Sequence, residues 1–189
     1  TARSRGLGDV YKRQAIDYRE KAPKAAYRDL FLDEKGNYDR KKAQFSLLSA
    51  GVPGTVAGLH LALIKYGTMS WQEVIEPAIT LAKDGFPIPH DLANILASEN
   101  YKKRLTSTAA GSKSFYKEGL KNYVAGEILV QKDLAWSLGQ LKDFGPKAFY
   151  EGEIAKKIVQ EMEKNGGLIT LQDLKNYRPV EREPVKGTY

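Results

Sequence analysis

The chain has 189 residues, enough for one domain with a substantial core and too few for two large ones. Its balance of 42% apolar and 28% charged residues is that of an ordinary globular protein, and no apolar run approaches the roughly 20 residues that a membrane-crossing helix needs. The net charge of +7 does not mark a nucleic-acid binder, because +3 of it comes from residues 1–14 and the rest is interleaved with Glu and Asp in short runs without base-stacking aromatics.

Residues 1–14, "TARSRGLGDVYKRQ", carry Arg3, Arg5, Lys12 and Arg13 against Asp9 and show no periodic apolar pattern. They contain no apolar core of a signal peptide. They read as a foreign or mis-joined leader ahead of a domain that starts at about Ala15. Ala15-Ile16-Asp17-Tyr18 reads as the end of a strand, after which Arg19 and Glu20 stand side by side before a Pro-bounded turn and a short helix. Arg40-Lys41-Lys42 reads as a solvated helix face.

The stretch "GVPGTVAG", Gly51 to Gly58, leads glycines into a helix. It lacks both the Gly-Lys-Ser/Thr ending of a P-loop and the G-x-G-x-x-G spacing. Close packing of a helix start is therefore preferred to a phosphate cradle. The helix is expected from Pro53, with Val56, Leu59, Leu63 and Tyr66 at helical spacing up to Gly67. Ser70 and Glu73 open another, stopping at Gly85, with Pro77 as a candidate kink. Asp91 is expected to cap a helix running to about Leu105, and residues 106–126 to form an irregular Gly-, Ser- and Lys-rich stretch. Further helices are expected over residues 131–143 and from Glu153 to Lys164, the second with Ile154, Ile158, Val159 and Met162 on one face and Gly166-Gly167 at its end. Thr170 and Asp173 form a capping pair for "LQDLKNY", and "PVEREPVKGTY" reads as extended chain entering an unfinished strand.

Familiar catalytic constellations are missing. There is no Cys, so thiolate chemistry and zinc–thiolate sites are excluded, and His60 and His90 stand thirty residues apart in the sequence without metal-ligand spacing. No metal ligand set, cofactor motif or nucleophile with an adjacent base is expected.

Five segments carry a resemblance: "DYREKAP" (Asp17 to Pro23), "SAGVPGTVAGLHLALIKYGTMSW" (Ser49 to Trp71), "PAITLAKDGFPI" (Pro77 to Ile88), "GPKAFYEGEIAKKIV" (Gly145 to Val159) and "NGGLITLQDLKNY" (Asn165 to Tyr177). In order and spacing they resemble the large subunit of γ-glutamyltranspeptidases, over residues 15–189. The resemblance implies an α+β fold of the N-terminal-nucleophile hydrolase type, a partial αββα sandwich represented mostly by its helical part. It implies a domain truncated at both ends and a precursor that cleaves itself, after which the N-terminal Thr of the small subunit is the nucleophile. The γ-glutamyl group of a donor such as glutathione would pass to an amino acid, a peptide or water.

The resemblance also gives Arg19 a role. The arginine of the D-[FY]-R-E motif binds the donor's α-carboxylate, and a guanidinium fork suits a carboxylate at two points. From the residues alone, an ion pair of Arg19 with Asp17 or Glu20 is the simpler account. Glu20 is expected to be structural. Thr1, followed by Ala2 and Arg3, does not match the family nucleophile, so this chain alone is expected to be catalytically silent. Its expected partners are the small-molecule donor and the small subunit, with no nucleic acid and no membrane span; family members are commonly exported, which suggests a periplasmic or extracellular location. Two other readings stay open: a related acylase of the cephalosporin acylase kind, and a non-catalytic basic helical module that binds an acidic partner.

Overall fold

The computed structural model describes residues 15–184. The expected leader, Thr1 and the last five residues of the expected C-terminal strand lie outside the described residues. In chain order the elements are β1 (Ala15–Asp17), α1 (Arg40–Phe45), α2 (Thr55–Tyr66), α3 (Trp71–Asp84), β2 (Phe86–Pro87), α4 (His90–Ala97), α5 (Glu99–Leu105), α6 (Ala109–Phe115), β3 (Ile128–Leu129), α7 (Lys132–Phe144), α8 (Pro146–Tyr150), α9 (Glu153–Lys164), α10 (Leu171–Asn176) and β4 (Val180–Arg182). Helix dominates. Among the described residues the named strands form two antiparallel pairs, β1 with β4 and β2 with β3, which makes the class α+β.

The chain divides into two compact units. The first holds residues 15–71 and 143–184, and the second residues 72–142. In the first, β1 and β4 pair with Ile16 opposite Glu181 and Asp17 opposite Val180. The core of this unit is built on α9, whose Ile154, Ala155, Val159 and Met162 are buried on one face while its lysines and glutamates face water. Ala155, Val159 and Met162 pack with Val52, Ile169, Leu174 and Tyr177, and Leu174 is fully enclosed. Burying such a side chain contributes about 1.5–3 kcal/mol, so this face, rather than helix propensity, holds α9 in place. Helix α9 stops where the sequence says it should: Gly166 has φ +72°, and the Gly167 N–H donates back to the Met162 carbonyl at 2.7 Å, the six-to-one bond of a Schellman ending. At α10 the Thr170 hydroxyl accepts from the Asp173 N–H while the Asp173 carboxylate accepts from the Thr170 N–H, the reciprocal capping box expected from the sequence.

In the second unit Ile88, Ala93 and Leu129 form a small core, with Phe86, Leu92 and Tyr123 packed against it. Four expectations need correction in these two units. The Arg40-Lys41-Lys42 run does lie on a helix, but the segment after Pro23 forms turns rather than a short helix. Pro77 sits inside an unbroken α3, and Gly85, at φ +88°, ends it. The expected helix from Asp91 to Leu105 is two helices broken at Ser98, whose extended backbone interrupts the ladder; Asp91 lies in the first turn of α4, and Pro89 is its N-cap. Residues 106–126 are not wholly irregular either, since the Thr108 side chain caps α6 by accepting from the Gly111 N–H. That local bond supports a helix in a segment whose composition argued against one.

Gly139 tests how far propensity counts here. It lies inside α7, and a Cβ added to it would meet nothing within 4 Å. Gly139→Ala is therefore expected to stabilise the protein by about 0.8–1.0 kcal/mol in urea unfolding. A loss of stability would show that the half-buried Gly139 side of α7 is packed.

Candidate carboxylate-binding site

Arg19 lies two residues past the end of β1, with Tyr18 between them. Its backbone is fixed at both ends. The Arg19 N–H donates to Asp17 Oδ1 at 3.1 Å, and the Tyr177 hydroxyl donates to the Arg19 carbonyl at 2.9 Å. Asp17 in turn accepts from Arg182 Nε at 2.7 Å, across the β1–β4 pair. The Arg182 bond, then the Arg19 N–H, hold the Asp17 carboxyl below the ordinary carboxylate range. Two residues further on, Lys21 and Val52 exchange backbone hydrogen bonds, and Lys21 Nζ donates to the Arg178 carbonyl at 2.8 Å.

The side chain of Arg19 is much less committed than its backbone. The side chain is 49% exposed, and Nη2 pairs with Glu20 Oε1 at 2.6 Å. An exposed pair of this kind contributes roughly 0–1 kcal/mol. A carboxylate arriving from solution can therefore compete for the fork at little cost. Of the two ion pairs the residues offer, the one with Glu20 is formed, while Asp17 is engaged by Arg182 and by the Arg19 backbone instead.

The glycines at 51, 54 and 58 provide the bed for this segment. A Cβ on Gly58 would overlap the Tyr18 ring, and one on Gly54 would overlap both the Tyr18 carbonyl and the Tyr177 hydroxyl. A Cβ on Gly51 would meet the Glu20 side-chain stem at 2.9 Å. The close-packing reading of "GVPGTVAG" is thus correct, and what packs there is the Tyr18-Arg19-Glu20 strip itself. Tyr177 lies with its ring stacked on Tyr150, centroids 5.7 Å apart and planes 8° from parallel. The Tyr150 hydroxyl donates to the Pro53 carbonyl at 2.9 Å and accepts from the Ala57 N–H at 3.2 Å. Burial pushes the Tyr150 phenol up to about 12, and burial, with Asp17 and Glu20 nearby, raises that of Tyr177, so both stay protonated donors at neutral pH.

The sequence singles out Arg19 as the candidate residue and expects close packing at the 51–58 glycines, but it gives Tyr177 and Tyr150 no part beside Arg19. Tyr177 closes one motif and Tyr150 lies inside another, and their hydrogen-bond partners lie 158 and 97 residues away. The histidines do not build a site: His60 sits edge-on to Trp71 at 4.9 Å, and His90 Nδ1 lies 3.1 Å from Asn94 Nδ2. Among the described residues no three His, Asp or Glu side chains converge as a metal site would require.

The sequence profile of the family described as Gamma-glutamyltranspeptidase matches residues 9–189. The chain belongs to that family. It is 50% identical over 176 residues to the glutathione hydrolase proenzyme of Escherichia coli (strain K12), a match that covers 93% of this chain and 30% of the relative. The crystal structure of Helicobacter pylori gamma-glutamyltranspeptidase superposes with a TM-score of 0.92 at 42% identity, covering 97% of this chain and 52% of that one. A cephalosporin acylase from Bacillus halodurans shares the fold, with a TM-score of 0.80 at 22% identity over 97% of this chain and 35% of that one. The chain thus spans about a third of the length of the curated relatives it matches. The gamma-glutamyltranspeptidase fold accounts for the element order: this stretch is mostly the helical part of an α+β sandwich of the N-terminal-nucleophile hydrolase type. Among the described residues no helix is long and apolar enough to cross a membrane.

Proposed function

We propose that this chain is part of a γ-glutamyl-transferring proenzyme of the glutathione hydrolase kind, and that Arg19 grips the α-carboxylate of the γ-glutamyl donor. The supporting observation is the contrast at Arg19: a backbone fixed at both its N–H and its carbonyl, carrying a half-exposed side chain whose Nη2 is engaged by a solvent-exposed neighbour. A rigid mount with an exchangeable partner suits binding and release of a carboxylate. The guanidinium remains charged at any working pH and offers two parallel N–H donors.

In this reading the chain supplies the donor grip and none of the bond-breaking groups. The nucleophile is an N-terminal Thr of the small subunit cut from the same precursor. Its α-amine, with an ordinary pKa near 8, takes the proton of its own hydroxyl. The hydroxyl oxygen attacks the γ-carbonyl, the amine leaving group departs with a proton, and the γ-glutamyl ester then passes to an amino acid, a peptide or water. Glutathione is the proposed donor and an exported location the proposed setting, both by analogy with the family.

The test is made on the donor. In the complete proenzyme carrying this segment, γ-glutamyl p-nitroanilide is compared with 4-aminobutyryl p-nitroanilide, which differs by replacement of the α-carboxylate with hydrogen. Losing a charge-assisted two-point contact is expected to lower kcat/KM about 100-fold. Equal rates for the two donors would refute a carboxylate grip.

A further inference from the structure

We infer that Tyr177 is a positioning residue for Arg19, and that α10 with its flanks is the element that sets where the donor carboxylate binds. This inference rests on the proposed role of Arg19 and goes beyond it. The segment of residues 19–24 is held from the α10 side at three points. The Tyr177 hydroxyl donates to the Arg19 carbonyl, the Arg178 carbonyl accepts from Lys21 Nζ, and Asp173 Oδ1 accepts from the Lys24 N–H at 2.9 Å. The last contact ties the capping box of α10 to the segment, because the same Asp173 carboxylate also caps the helix.

Of the three contacts, only that of Tyr177 reaches the arginine itself. Its geometry is constrained on several sides. The residue is only 4% exposed, its ring is stacked on Tyr150, Lys21 Nζ lies 5.1 Å from its centroid, and Gly54 leaves the space its hydroxyl occupies. A phenol held this rigidly fixes the peptide that carries Arg19, and a two-point grip on a carboxylate depends on that peptide staying in place. A tyrosine serving the core alone would need its ring but not a hydrogen bond to this particular carbonyl.

The experiment is Tyr177→Phe in the complete proenzyme, which keeps the ring and removes the hydroxyl. Self-cleavage is read first from the subunit bands, then kcat/KM is measured for γ-glutamyl p-nitroanilide and for 4-aminobutyryl p-nitroanilide. The preference for the carboxylate-bearing donor is expected to fall about 3- to 10-fold, through KM, with the other donor unaffected. In an Arg19→Lys background the same change should lower the preference no further. A variant with 4-aminophenylalanine at 177, which restores an N–H donor at that point, should recover the preference and decides the matter if Tyr177→Phe matures poorly. An unchanged preference, an equal slowing of both donors, or failure of the amino variant to recover it would overturn the inference. If Arg19→Lys itself leaves the preference intact, it is the donor-grip reading that falls instead.

Discussion

Replacing Arg19 by lysine in the complete proenzyme is expected to lower kcat/KM for γ-glutamyl p-nitroanilide about 30- to 1000-fold, equivalent to about 2–4 kcal/mol of lost binding. Lysine is the informative replacement because it keeps the charge. It can still pair with Glu20 as a compact ammonium, so the surroundings of the exposed pair need not rearrange. What it loses is the planar fork. The backbone anchors also survive, since Asp17 and Tyr177 hold the peptide N–H and carbonyl rather than the side chain. Self-cleavage should therefore proceed at close to the parental rate, as it does not use the donor carboxylate. A variant that matures normally but binds the donor weakly is the expected phenotype, and one that fails to mature would mean that Arg19 supports the fold.

Gly54→Ala is expected to be the most damaging single-methyl change in the first unit, costing about 2–4 kcal/mol in urea unfolding. An alanine Cβ there would overlap the Tyr18 carbonyl and the Tyr177 hydroxyl and ring. Neither neighbour is the free end of a flexible side chain. One is backbone continuous with Arg19, and the other is stacked on Tyr150. Overpacking of this kind costs about 1–3 kcal/mol, and alanine is also a poorer N-cap than glycine at the start of α2. Any protein that folds should carry a displaced Tyr18-Arg19 strip and show a raised donor KM. The opposite sign expected at Gly139 separates the two glycine roles, one making room for a close approach and the other merely unfavourable in a helix. A neutral Gly54→Ala would show that the strip is not tightly bedded.

The parts of this architecture legible in the sequence are those determined within a few residues. The capping box of Thr170 and Asp173, the glycine ending of α9 and its buried face from Ile154 to Met162 all follow from local spacing, and the structure has each of them. The break at Ser98 and the helix at Ala109–Phe115 were not legible, because each turns on one residue's backbone or side-chain bond that composition does not reveal. The pairing of β1 with β4 joins the two ends of the described chain, Ile16 with Glu181, and depends on tertiary packing. The candidate site divides in the same way. Arg19 stands in a recognisable motif and the glycines announce a close approach, yet nothing local says that the approaching group is Arg19's own strip or that Tyr177 fastens it. Those facts exist only once α10 has docked.

The central claim, that Arg19 acts on the donor through its α-carboxylate, is tested most directly by a cycle combining Arg19→Lys with removal of that carboxylate. Four kcat/KM values are needed, for parent and variant with each of γ-glutamyl and 4-aminobutyryl p-nitroanilide. The predicted result is strong coupling: either change alone costs about 2–4 kcal/mol, and the two together cost little more than one. Independent losses that simply add would contradict the account, since the arginine and the carboxylate would then not be acting on each other.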